Sequence, residues 1–221
     1  MAKECKRCGL NRRELIPIAL IIIIFSVAVY LYPFMPEQMP THWNAKGEID
    51  DYGSRFMGLF LMPLITLGIY ILFSLIPKIA VYKKHILGFD KHLYGMKIAF
   101  VLFLSAIYVV TLLPTFGYDI NVAYFILPFI AALIFYIGYI IKFIKRNFFI
   151  GIRTPWTLSS GQVWDKTHRI GSVTFRINAL IFLLALFYPE YSLWIILVPL
   201  LANVLFLIVY SYFAYQKVKR K

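Results

Sequence analysis

Apolar residues in this chain fall in long, nearly charge-free blocks rather than at the two-residue or helical spacing of a half-buried surface. Spanning about 30 Å of hydrocarbon takes roughly twenty residues of α-helix. Six blocks come close to that length: 15–34, 56–76, 98–116, 122–144, 172–188 and 191–213. They predict an all-α polytopic membrane protein with six transmembrane helices. The first block follows a basic leader, yet it outruns the roughly 7–15 apolar residues of a signal peptide. It also runs into Tyr32-Pro33-Phe34-Met35 instead of a small-residue cleavage site, so it reads as a retained span.

The polar segments between the blocks alternate in charge. Lysine and arginine stay on the cytoplasmic side of short loops, and twenty of the 23 basic residues lie in the 1–14 tail, the 77–97 loop, the 142–171 loop and the C-terminal tail. The other connections hold only Lys46 and Arg55 against six acids, and Arg176 falls just inside the fifth block. Both ends are therefore expected in the cytoplasm, in a plasma membrane. The chain divides into a basic tail (1–14), a first hairpin (15–76) with an outer loop (35–55), a cytoplasmic loop (77–97), a second hairpin (98–144), a second cytoplasmic loop (145–171), a third hairpin (172–213) and a basic tail (214–221). Each outward-running helix meets a proline at its end (Pro33, Pro114, Pro189) and each returning helix carries another (Pro63, Pro128, Pro199), the pattern of a threefold repeat.

Composition agrees: 61% of the residues are hydrophobic and 15% charged, against about 45–50% and 25% in soluble domains. The formal charge of +13 needs no nucleic acid, because a basic inner face against anionic lipid accounts for it. Cys5 and Cys8 have the spacing of half a zinc site, and no second pair exists to complete it. A reduced thiol pair in a basic tail is the expected state, with a zinc shared between two copies as the alternative.

Two insertions hold most of the polar sequence. In the outer loop, Asn44 to Gly47 reads as a turn in which Gly47 takes positive φ, and His42, Trp43, Asn44, Gly47 and Asp50 are the candidate recognition residues. His42 with Glu37, Asp50 and Asp51 matches no established ligand spacing, so no metal is expected. Trp43 and Tyr52 are expected at the headgroups with the acids facing water. In the inner loop, Ser159 and Gln162 have capping-box spacing, and the helix they start puts Val163, Thr167 and Ile170 on one face and Trp164, His168 and Gly171 on the next. With Trp156 this predicts an amphipathic element lying at the inner membrane surface. His168 reads as a packing residue, and Arg153 and Arg169 as anion holders or headgroup anchors.

No Asp, Glu, Lys or His is expected in the middle of a span, which argues against an ion-coupled pump. Arg176, Asn178 and Asn203 are the intramembrane polar residues, with interhelical hydrogen bonding as their ordinary role. No activated nucleophile, paired carboxylate or phosphate-binding glycine loop occurs; neither enzymatic activity nor a cofactor is expected.

Gly151-Ile152-Arg153-Thr154-Pro155-Trp156-Thr157-Leu158, with Val163-Trp164 and Thr167-His168-Arg169, resembles the signature of the SdpI family of membrane immunity and signalling proteins. Met39-Pro40-Thr41-His42-Trp43-Asn44-Ala45-Lys46-Gly47 with Asp50 resembles the uncharacterised domain often fused at that family's N-terminus. The resemblance covers about residues 15–213 and marks Gly151, Arg153, Pro155, Trp156, Trp164, His168 and Arg169 as the inner signature. It implies protection of the host from a secreted peptide toxin and, in the founding type, recruitment of a cytoplasmic repressor. The expected partners are the bilayer, an extracellular peptide, a cytoplasmic regulator and a second copy of the chain. A small-molecule exporter or channel, using Asn203 or Arg176, and a lipid-modifying enzyme, using His168 with Arg153 and Arg169, are the alternative readings.

Overall fold

The computed structural model describes residues 12–79 and 88–220. Cys5, Cys8 and the middle of the 77–97 loop lie outside the described residues. The elements are α1 (Leu15–Leu31), β1 (Gln38–Trp43), β2 (Ile49–Ser54), α2 (Arg55–Ile79), α3 (Asp90–Leu112), α4 (Val122–Ile141), α5 (Pro155–Ser159), α6 (Gly161–Phe182) and α7 (Ser192–Lys219). All but α5 of these helices, six with their flanking 3-10 turns, are long and apolar enough to cross a membrane.

Helices α1, α2 and α3 pack on one another, α3 also meets α4, and α6 sits between α4 and α7. Large apolar side chains such as Ile22, Leu64, Leu102, Leu180 and Leu205 point outward and stay exposed, as a lipid-facing surface requires. Between helices, small residues let backbones approach. A Cβ on Gly138 of α4 would stand 3.0 Å from the Arg176 backbone nitrogen of α6. Helices α1, α3 and α6 each tighten into a 3-10 turn, at Tyr32–Phe34, Leu113–Phe116 and Leu183–Leu186. Pro33 and Pro114 sit within the first two, while Pro189 opens a separate 3-10 turn ahead of α7.

Two segments depart from the sequence reading. The outer 35–55 stretch is not an irregular loop but an antiparallel hairpin, pairing Gln38 with Ser54 and Trp43 with Ile49, with bulges between Pro40 and Trp43. Its Met39 is 1% exposed and packs among Ile24, Ala28, Leu59, Tyr108 and Leu112. That approach depends on Gly58 of α2, where a Cβ would come within 2.7 Å of the Met39 Cβ.

Helix α3 also begins earlier than expected, at Asp90 instead of 98, whereas the helix expected from the inner loop does run on unbroken into the fifth block, from Gly161 to Phe182. Lys97 therefore lies within the first turns of α3 and His168 within those of α6, toward the helix ends and away from their middles. Lys97 is 5% exposed, and its ammonium donates to both carboxylate oxygens of Glu14 at 2.6 Å. Tyr70 donates its hydroxyl to the same carboxylate at 3.1 Å, and the rings of Tyr70 and Tyr94 face the ammonium at 5.0 and 5.5 Å. The pair ties the start of α1 to α3 across 83 residues of sequence.

Removing one partner of such a pair strands the other charge. Lys97→Met is expected to lower stability in detergent by about 2–4 kcal/mol, less than for a wholly enclosed carboxylate because Glu14 keeps some water. Adding Glu14→Gln should recover part of the loss. Thermal unfolding of the two variants checks this, and a single variant as stable as the parent would contradict it.

Candidate functional site

At one end of the bundle the hairpin is closed down over the helix ends. Asn44 builds its turn: the side-chain oxygen accepts from the Lys46 and Glu48 amides at 2.9 and 3.1 Å, and the side-chain nitrogen donates to Glu48 at 2.8 Å. Gly47 takes φ +81 as expected. The tip then docks on two helix starts. Asn121, which caps α4, donates to the Lys46 carbonyl at 2.7 Å, and Ser192 at the start of α7 donates to the Ala45 carbonyl at 2.6 Å. A side chain at Gly47 would overlap the Asn121 carboxamide. Asn44 and Gly47 are thus structural, and Trp43 is half-buried with its indole nitrogen enclosed and unpartnered. His42 and Asp50 remain accessible, joined by a 2.6 Å bond from the imidazole Nδ1 to the carboxylate, with side chains 68% and 39% exposed. Among the described residues no three His, Cys, Asp or Glu side chains converge as a metal site would require.

At the opposite end the 142–160 segment is held as a knot around His168. Asn147, 2% exposed, receives the amides of Phe149 and Ile150 on its side-chain oxygen, both at 2.8 Å, and donates to the carbonyls of Lys145 and Ile150 at 2.8 and 3.0 Å. The His168 Nε2 accepts the Ile152 amide at 3.0 Å, and its Nδ1 donates to the Trp164 carbonyl at 2.8 Å. These two partners define a neutral ring protonated on Nδ1. The ring stacks on Trp164 at 4.0 Å between centroids, and the Trp164 indole donates to the Ile144 carbonyl at 2.8 Å. Gly151 has φ +125, and a Cβ there would stand 2.5 Å from the His168 Nε2.

The capping residues differ from those the spacing indicated. Thr154 and Thr157 form a reciprocal capping box around α5, with Pro155 in its first turn, and Ser160 caps α6 by accepting the Val163 amide. The Ser159 hydroxyl instead donates to the Trp156 carbonyl at 3.1 Å. Thr154 also meets Ser211 of α7 at 3.0 Å, which fastens the knot to the last span. The 161–171 stretch packs into the bundle. Val163, Trp164, Thr167, His168 and Gly171 are all buried, and only the stripe of Gln162, Asp165, Lys166 and Arg169 is exposed. The Trp164, His168 and Gly171 face is enclosed and the Val163, Thr167 and Ile170 face nearly so, because α6 packs between α4 and α7 and α5 of the knot lies against it.

Of the signature residues, Gly151, Trp164 and His168 are brought together in the knot, while Trp156 packs edge-on against Tyr212 at 5.2 Å. Arg153 and Arg169 are exposed, Arg153 donating to the Phe148 carbonyl. The intramembrane polar residues do not act alike. Arg176 donates to the Ser172 carbonyl of its own helix at 2.9 Å, and Asn178 reaches the Pro199 carbonyl of α7 at 3.3 Å. Asn203 is buried with both side-chain polar atoms unpartnered, so the expected interhelical bond forms at Asn178 alone of the two asparagines. Sequence reasoning missed Asn147, Asn121 and Ser192. The first had a visible signal, an asparagine opening a short run toward Gly151.

A polytopic membrane protein with a hairpin cap at one end and a histidine-centred knot at the other is the class that the fold defines. Residues 143–211, the knot with α6 and most of α7, match the SdpI/YfhL protein family, and residues 19–67, the first span with the hairpin, match a domain of unknown function, DUF1648. The matched segment contains the Gly151–Arg169 motif whose resemblance to that family is read from the sequence. The chain is 26% identical over 207 residues to the Immunity protein SdpI of Bacillus subtilis (strain 168), covering 93% of this chain and 97% of that one. No solved structure matches it.

Of the three positive-φ glycines among the described residues, Gly47 and Gly151 are the points where either end is most easily broken. Gly151→Ala is expected to push His168 off the Ile152 amide and to cost about 1–3 kcal/mol locally, seen as faster hydrogen exchange across 147–157. Gly47→Ala should have its effect at the hairpin tip instead, exposing 38–54 to limited proteolysis. Unchanged exchange or cleavage would contradict these roles.

Proposed function

We propose that this chain is a membrane immunity protein whose hairpin end faces outward and whose basic end, with both termini, faces the cytoplasm. The similarity to the Immunity protein SdpI along nearly the whole of both chains carries the reading. The basic residues support the orientation: Arg12, Arg13, Lys78, Lys145, Arg153, Lys166, Lys217 and Arg220 all belong to the end opposite the hairpin.

On this reading an extracellular peptide engages the accessible His42 and Asp50 on a hairpin whose shape Asn44 and Gly47 maintain. Arg153, Trp156 and Arg169 form the inner contact surface for a cytoplasmic regulator, on a frame set by Gly151, Pro155, Trp164 and His168. A peptide can shift that surface only through different affinities for two arrangements of the molecule. The hairpin tip, hydrogen-bonded to the starts of α4 and α7, is the physical link, since α7 also holds Thr154 of the knot.

The test is made in Bacillus subtilis cells lacking their own SdpI. Expression of this chain is expected to restore survival beside toxin-producing cells. His42→Ala with Asp50→Ala should reduce survival at least tenfold at unchanged membrane abundance. Arg153→Glu with Arg169→Glu should preserve survival while abolishing capture of cytoplasmic protein on the membrane fraction. Failure of the parent chain to protect, or full protection by the outer double variant, would overturn the assignment.

A further inference from the structure

The buried Lys97–Glu14 pair forms the floor of a cavity of about 450 Å³ between the start of α1, the end of α2 and the start of α3. Its walls include Arg13, Lys78 and Asp90 at the mouth, Ser74 and Tyr94 deeper in, and the apolar faces of Phe73 and Leu93. Every one of these helices ends or begins here, so the cavity lies at the edge of the hydrocarbon, on the basic end of the molecule. Cavities of this size accept a small ligand or a headgroup.

The charges decide what kind. Three cations, Arg13, Lys78 and Lys97, face two acids, Glu14 and Asp90. Both acids are already engaged, Glu14 by Lys97 and Tyr70 and Asp90 by Arg13 at 3.9 Å. Among the described residues no carboxylate pairs with the exposed Lys78. With both pairs cancelled, the positive charge of Lys78 is left over at the mouth above a neutralised floor, which selects an anion. On the outer side of α2, Leu72, Leu75 and Ile79 form an exposed apolar stripe at helical spacing beside that mouth. Basic pockets between spans hold lipid phosphates for these reasons.

We propose that this cavity binds the phosphate headgroup of an anionic phospholipid, with Lys78 holding the phosphodiester beside the Arg13–Asp90 pair and an acyl chain lying along Leu72, Leu75 and Ile79. The Lys97–Glu14 pair positions the floor and does not contact the phosphate. Lipid occupancy would then pin α1 to α2 and α3 at the level where all three leave the membrane.

The purified full chain in neutral detergent is titrated with dioctanoyl phosphatidylglycerol, dioctanoyl phosphatidylcholine and glycerol phosphate, with bound ligand read by native mass spectrometry. Phosphatidylglycerol is expected to be retained at least fivefold over phosphatidylcholine. Lys78→Gln with Arg13→Gln should lower that retention at least fivefold, and Lys78→Gln alone, on an exposed side chain that the fold does not need, should lower it at least twofold. Lys166→Gln with Lys217→Gln, on the same basic end but outside the cavity, should leave it unchanged. Equal retention of the two lipids, an equal loss in the control pair, or glycerol phosphate binding as well as the lipid would each overturn the proposal, the last by making it a free-phosphate site.

Discussion

A backbone amide or carbonyl without a partner costs several kcal/mol in hydrocarbon, where no water can replace it. The whole layout follows from that penalty. Helices satisfy their own backbone groups, so the bulk of the chain is helical, and the two longest non-helical stretches among the described residues sit at opposite ends and find partners for their backbone groups there. In the hairpin the strands pair with each other and the turn is closed by Asn44, with Asn121 and Ser192 taking the last two carbonyls. In the knot the backbone groups are taken up by Asn147, Thr154, Thr157, Trp164 and His168. His168 is best understood as a backbone partner: a neutral imidazole offers one donor and one acceptor, and both are spent within the segment.

This separation makes the ends different in kind. The hairpin cap leaves an acid and a histidine outside a rigid turn, whereas the knot buries its histidine and tryptophan and leaves arginines outside. Side chains that a sequence reader would choose as contact residues, Trp164 above all, are therefore the frame, and their removal would report on folding before it reported on recognition. Helix α7 touches both ends, through Ser192 at the cap and Ser211 at the knot.

Much of this was readable in the chain. Blocks of hydrocarbon length needed no tertiary information, and the Asn44–Gly47 turn is local chemistry. The hairpin strands were hidden because Pro40 and two bulges break the alternation that marks a strand. The start of α6 was legible from its capping serines but not from hydropathy, because Gln162, Asp165, Lys166 and Arg169 form a polar stripe along its first turns. Ser159 and Gln162 carried the right spacing in the wrong register, one residue before the serine that caps. The Lys97–Glu14 pair had no local signature, since nothing near Lys97 in sequence announces an acid from the far side of two spans. Tyr70 and Ser74, one turn apart on α2 and both polar, were the available hint that something charged packs against them.

The account rests on the hairpin and the knot lying on opposite sides of the bilayer, and one labelling measurement addresses that directly. Single cysteines are introduced as Asp50→Cys and Lys166→Cys in a chain carrying Cys5→Ser and Cys8→Ser, and intact cells are treated with a membrane-impermeant maleimide. The account predicts that Asp50→Cys is labelled in intact cells and Lys166→Cys only after the membrane is opened. Labelling of both from outside, or of Lys166→Cys alone, would contradict it.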